Sequence, residues 1–157
     1  MPSTCGAGVL NSRWVITADH CIMDGKEHSV VLGKELFDYN ANRDKTMEIT
    51  IEKIIKHSNK SESKEWADLA LLRTAKEIPL LKYTPICLPP SNFNVRGKTV
   101  TVAGWGLTGT TEDLKTPETV REIRNLRVVP QSICKRKYVF TILVCAHIVM
   151  FTIKVLE

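Results

Sequence analysis

Aromatic side chains are scarce in this 157-residue sequence, at 6%, and the scarcity argues against one class of function at the outset. Proteins that bind nucleic acid interleave aromatics with a basic stripe. Here the one basic run is Lys135-Arg136-Lys137, and no nucleic-acid-binding motif accompanies it. The net charge of +5 does not alter this: eight basic residues lie from Lys115 onward against Glu118, Glu122 and Glu157, which accounts for the whole excess. A long hydrophobic run is also missing. The stretch Tyr138 to Ile153 is apolar apart from Thr141, His147 and Thr152, but a membrane-spanning helix needs about 20 such residues. Its β-branched content reads as buried strand rather than as an anchor. No basic start or apolar stretch precedes Cys5, so a secretory leader is not expected in this sequence. There is no internal repeat. With 43% apolar and 25% charged residues, neither general disorder nor a multi-span membrane protein fits.

Helical periodicity is equally scarce. Short runs rich in Val, Ile and Thr recur at Trp14 to Thr17, Ser29 to Leu32, Met47 to Ile55, Leu69 to Arg73 and Lys98 to Trp105. Turn signals divide them at Asp24-Gly25, Asp38 to Asp44, Ser58 to Lys64, Pro89-Pro90 and Gly104 to Thr111. That rhythm predicts an all-β fold. Only Thr119 to Val128 is ambiguous between strand and helix. The pattern pauses around Pro89 to Gly97, which marks a connector between two sub-domains.

Two segments carry candidate chemistry. Trp14-Val15-Ile16-Thr17-Ala18-Asp19-His20-Cys21 delivers a histidine straight from an apolar strand. Taken alone, a histidine placed like His20 is more often a hydrogen-bonded packing residue than a catalytic one. Ala67-Asp68-Leu69-Ala70-Leu71-Leu72-Arg73 sets one carboxylate at the mouth of an apolar strand. Such a carboxylate is costly there without a donor, and an imidazole N–H is the donor that would make it useful. Otherwise Asp68 is a surface aspartate ending a loop.

Together these segments resemble the histidine and aspartate motifs of the chymotrypsin and trypsin family of serine endopeptidases. Cys5-Gly6 with Val9 to Val15 is similar to the strand pair that leads to the family's histidine. Ile86-Cys87-Leu88-Pro89 is similar to its inter-barrel connector, and Val102-Ala103-Gly104-Trp105-Gly106 to the opening of its second barrel. The five motifs occur in family order over residues 5 to about 145.

The resemblance implies a double antiparallel β-barrel, with the first barrel mostly present and the second truncated. Its expected divisions are about 5–90 for the first barrel, 91–100 for the connector, 101–146 for the partial second barrel and 147–157 for a divergent apolar tail. It implies proteolysis by Ser-His-Asp acyl transfer, with His20 as general base and Asp68 as its orienting partner. The nucleophile of that chemistry sits in a Gly-Asp-Ser-Gly-Gly motif, and the 157 residues contain neither this nor any Gly-x-Ser-x-Gly substitute. The chain as given is therefore expected to be inactive by itself, and a non-catalytic homologue that binds protein partners is the alternative. The family's free activation terminus and the strand after it would precede Cys5.

Five cysteines suit a disulfide-bearing secreted protein, though an odd number leaves one thiol unpaired. By resemblance, Cys5 bridges Cys21 and Cys134 bridges Cys145. Cys87 then remains, either to join an upstream pro-segment or to pair with a cysteine outside this sequence. The resemblance also implies an extracellular location, with protein or peptide substrates or inhibitors as partners and no nucleic acid, membrane or cofactor. Asn59-Lys60-Ser61 is a candidate glycosylation site. The family's calcium loop would fall near Gly33 to Glu48, but Lys34 and Thr46 occupy the liganding positions, so no metal is expected. Asp19 stands where the family has alanine. Its carboxylate would either approach the His20 ring and favour the imidazolium, or point away; the sequence is compatible with both.

Overall fold

Alternating apolar and polar residues with β-branched side chains favour extended backbone, because one face of a strand can then be buried while the other stays wet. The structure is a computed structural model that describes residues 4–33, 46–57, 68–94, 96–105, 119–128 and 154–156. Its strands are β1 (Thr4–Cys5), β2 (Gly8–Val9), β3 (Trp14–Thr17), β4 (Ser29–Leu32), β5 (Met47–Lys56), β6 (Ala70–Thr74), β7 (Thr99–Gly104), β8 (Arg121–Arg127) and β9 (Lys154–Leu156). Among the described residues the one helical element is a 3-10 turn at Asp19–Cys21.

Seven strands form one antiparallel sheet in the order β1-β9-β4-β5-β6-β3-β2. Its two end strands, β1 and β2, are separated in the chain by only Gly6 and Ala7. The sheet must therefore curl until its ends meet at that bend, which is how an antiparallel sheet approaches barrel closure. The curl encloses a core of Ala7, Val9, Val15, Ile22, Val30, Leu32, Ile49, Ala70, Leu72 and Ile78. Val15, Val30 and Leu72 are fully buried.

Burial alternates along β3 and β6: Val15 and Thr17 point inward from one, Ala70, Leu72 and Thr74 from the other. Their register pairs Val15 with Leu72 and Thr17 with Ala70. The two buried hydroxyls are satisfied by backbone carbonyls, Thr17 Oγ1 donating to Gly6 O at 2.9 Å and Thr74 Oγ1 to Lys76 O at 2.8 Å. The strand expected to start at Leu69 starts one residue later, which leaves Leu69 outside the core at 40% exposure.

The segment at Ile86 leans on this sheet. Ile86 N–H donates to Val9 O at 2.8 Å, and the Ile86 side chain lies so close to Gly8 that an added Cβ there would meet Ile86 Cδ1 at 2.6 Å. A side chain at position 8 would have to displace the tip of Ile86, so glycine serves packing there rather than backbone conformation.

The stretch at Thr119 to Val128 resolves as strand. β8 pairs antiparallel with β7 in a separate two-stranded sheet, and all seven of its residues are exposed, so no buried stripe exists to hold a helix. A bulge between Val100 and Val102 is accommodated opposite by Asn125, whose φ of 60° lies in the left-handed region. Part of the segment expected to be a divergent tail pairs with the main sheet: β9 joins β1 through Cys5↔Val155 and β4 through Val30↔Val155. Two strand edges with unsatisfied N–H and C=O groups are a template for such pairing.

Candidate active site

His20 is placed by three local features. β3 ends at Thr17, Ala18 remains extended, and the chain then tightens into the 3-10 turn Asp19–Cys21, closed by Cys21 N–H to Ala18 O at 3.2 Å and Ile22 N–H to Asp19 O at 3.0 Å. Cys21 is pinned from below by its disulfide to Cys5, whose Cα lies 6.0 Å away. The turn cannot drift from β1, and the imidazole between these anchors is left 70% exposed.

Asp68 arrives from the other direction, two residues ahead of β6. Its carboxylate meets the turn with both oxygens: Oδ1 accepts from His20 N–H at 3.0 Å, and Oδ2 lies 2.7 Å from His20 Nδ1. The backbone N–H of Asp19 also bonds to it. A carboxylate 48 residues away in sequence thus caps the amino end of the 3-10 turn, where Ala18 has no side chain able to do so. Burial pushes the Asp68 carboxyl up; the amide and ring of His20 and the amide of Asp19 outweigh it and hold the group below its ordinary value.

The sign of the resulting pH dependence follows. A carboxylate with a depressed folded value stabilises the fold above its unfolded value of roughly pH 4, and that stabilisation is lost as pH falls through the folded value. We expect the thermal midpoint of Asp68→Asn to lack this acid-dependent component, so that its deficit against the wild type narrows as the pH is lowered from 6 to 2.5. Parallel profiles over that range would contradict the role.

The Asp19 carboxylate faces Lys56. Its Oδ1 lies 3.7 Å from Lys56 Nζ, which also donates to Asp24 Oδ1 at 2.8 Å and to Ile22 O at 3.3 Å. The bond to Asp24 raises the Lys56 pKa, with the Asp19 and Asp24 charges acting in the same direction against desolvation. Sequence reading does not single out Lys56, because its partners lie more than 30 residues away and no local motif marks it.

The ligating atoms of Cys5, His20 and Cys21 lie within 4.8 Å of one another. The two sulfurs are bonded to each other, which leaves the imidazole as the single donor and no metal-ligand set. Cys87 is a free, exposed thiol. Asn59, Cys134, Cys145, Lys34 and His147 lie outside the described residues. No helix among the described residues is long and apolar enough to cross a membrane.

The fold has a counterpart among known proteins. The family model described as Trypsin matches residues 2–150. The chain belongs to the trypsin family. Within it, the chain is 36% identical to "Venom serine protease 34" of Apis mellifera over 66% of this chain and 28% of that protein. It is 32% identical to "Coagulation factor IX" of Cavia porcellus over 88% of this chain and 49% of that protein. A solved structure described as "Structure of GrC" superposes with a TM-score of 0.71 at 28% identity, covering 85% of this chain and 57% of that one. The chain thus spans less than half the length of the curated relatives it matches. The curled seven-stranded sheet and the separate β7–β8 pair are consistent with a truncated form of the trypsin family's double antiparallel β-barrel.

Proposed function

We propose that this chain carries the histidine–aspartate half of a serine endopeptidase site, acting on protein or peptide substrates by acyl transfer. The observation that supports it is the 2.7 Å contact between His20 Nδ1 and Asp68 Oδ2 beneath an imidazole that is 70% exposed. A carboxylate at Nδ1 holds the proton on that nitrogen, which leaves Nε2 as the acceptor for a hydroxyl proton. His20 is then the general base during attack and the acid that protonates the leaving amine, while Asp68 orients the ring and steadies the imidazolium.

Attack needs a serine and oxyanion donors, and the 157 residues hold no Gly-x-Ser-x-Gly segment. By themselves they are proposed to hydrolyse no peptide bond. The alternative reading is a non-catalytic homologue that binds proteins through the barrel surface. The remaining assignments belong to the proposal: a second bridge between Cys134 and Cys145, and the divisions near 90, 100 and 146. An oxidising, extracellular setting is supported by the Cys5–Cys21 disulfide. The exposed Cys87 thiol is proposed to join an upstream segment.

The test is to express the 157 residues alone and joined to a segment bearing the serine motif, then to expose both to a fluorophosphonate probe and a peptide substrate panel. The endopeptidase reading expects labelling and cleavage from the joined form only. A joined form that folds, binds peptides and neither labels nor cleaves supports the binding module instead.

A further inference from the structure

Lys56 is the last residue of β5, and its register partner in β6 is Ala70, two residues after Asp68. One ladder end therefore delivers two groups of opposite charge to the turn that bears His20. Asp68 takes the imidazole and the turn's amides. Lys56 takes the other side of the same segment, touching Asp19 before His20 and both Ile22 and Asp24 after it.

The Asp19 carboxylate is the reason such a lysine matters. It directly precedes His20, its Oδ1 is buried and accepts no hydrogen bond, and its charge is met across 3.7 Å by Lys56 Nζ. A partly buried carboxylate without a counter-charge either finds a donor or moves, and the residue next to it in the chain, His20, carries a donor able to become cationic. We propose that Lys56 is a positioning residue for His20: by holding the Asp19 carboxylate, it leaves Asp68 as the single acidic partner of the ring. Lys56 itself touches no reacting atom. The charged and titratable groups on the segments around the turn are Asp19 within it, Asp24 after it, Lys56 and His57 at the end of β5, and Asp68 before β6.

The inference rests on the reading of His20 as a base, yet its test needs no catalysis. Neutral imidazole reacts with diethyl pyrocarbonate and imidazolium does not, so carbethoxylation of His20 in the full 157-residue chain at pH 7, located by peptide mass spectrometry, reports the ring's state. With Lys56→Met, an uncompensated Asp19 favours the imidazolium, and the rate is expected to fall about threefold. K56R should react within a factor of about two of the wild type, because the cation is retained. The double variant K56M/D19N should recover the wild-type rate, a rescue that a loosened turn would not give. Unchanged reactivity in K56M, or a double variant as slow as K56M, overturns the proposal. Should K56M fail to fold, D19N alone decides: with the lysine in place its rate should match the wild type, and a faster rate would mean that Lys56 does not shield the ring. Failure of the endopeptidase reading would appear separately, in the hydrolysis assay of the serine-bearing form.

Discussion

Replacing His20 by alanine in a chain that also carries the serine segment is expected to lower kcat by about 10⁴- to 10⁶-fold, with KM changed far less. The asymmetry follows from what the ring does. His20 contributes little buried surface, at 70% side-chain exposure, so its loss removes a proton acceptor and leaves the fold in place. Asp68→Asn is expected to act through the same group, because an amide at the 2.7 Å contact can donate to Nδ1 and so turn the ring to the wrong tautomer. Steady-state rates on one peptide, with circular dichroism to confirm the fold, decide the matter. A His20→Ala enzyme retaining more than a hundredth of the wild-type kcat would remove His20 from the mechanism.

The second large effect concerns the core. Leu72→Ala is expected to destabilise the fold by about 2–5 kcal/mol, the range for emptying a fully packed leucine site. Leu72 is 0% exposed, and it lies in β6 between Ile54 of β5 and Val15 of β3. Ladders on both sides prevent the backbone from collapsing into the void, so the upper half of that range applies. Against a typical domain stability of about 5–15 kcal/mol, this loss removes from about a quarter to the whole of the margin. The exposed neighbour Arg73 offers the control. It pairs with Glu52 at 3.0 Å while 45% exposed, and Arg73→Ala is expected to cost less than about 1 kcal/mol. Equal urea midpoints for the two variants would contradict the placement of β6 at the centre of the sheet.

The strands were legible because their apolar residues recur at period two or in short continuous runs, a signal contained within each segment. Ser29–Leu32 and Trp14–Thr17 coincide with the expected spans. The β5 strand extends one residue beyond its expected end, to Lys56, since nothing in its polar end distinguishes a strand terminus from a loop. Thr119 to Val128 stayed ambiguous for a similar reason: its few apolar residues fit either period, and only pairing with β7 selects the extended form.

His20 and Asp68 stand out in sequence because each sits at the end of an apolar strand, where a polar group needs a reason. Their motifs, with those at Cys5, Ile86 and Val102, suffice to indicate the family and its all-β class, since they are local strings in a set order. Whether Asp19 approaches or avoids the ring is a different kind of question. The Asp19 carboxylate faces Lys56, 37 positions further along, a contact that depends on how β5 and β6 end side by side. The capping of the 3-10 turn by Asp68 and the meeting of β1 with β2 across a curled sheet have the same character. Strand identity follows from neighbours along the chain, whereas charge pairing, burial of a carboxylate and closure of a sheet depend on neighbours in space, and those exist only once the ladders have set their register.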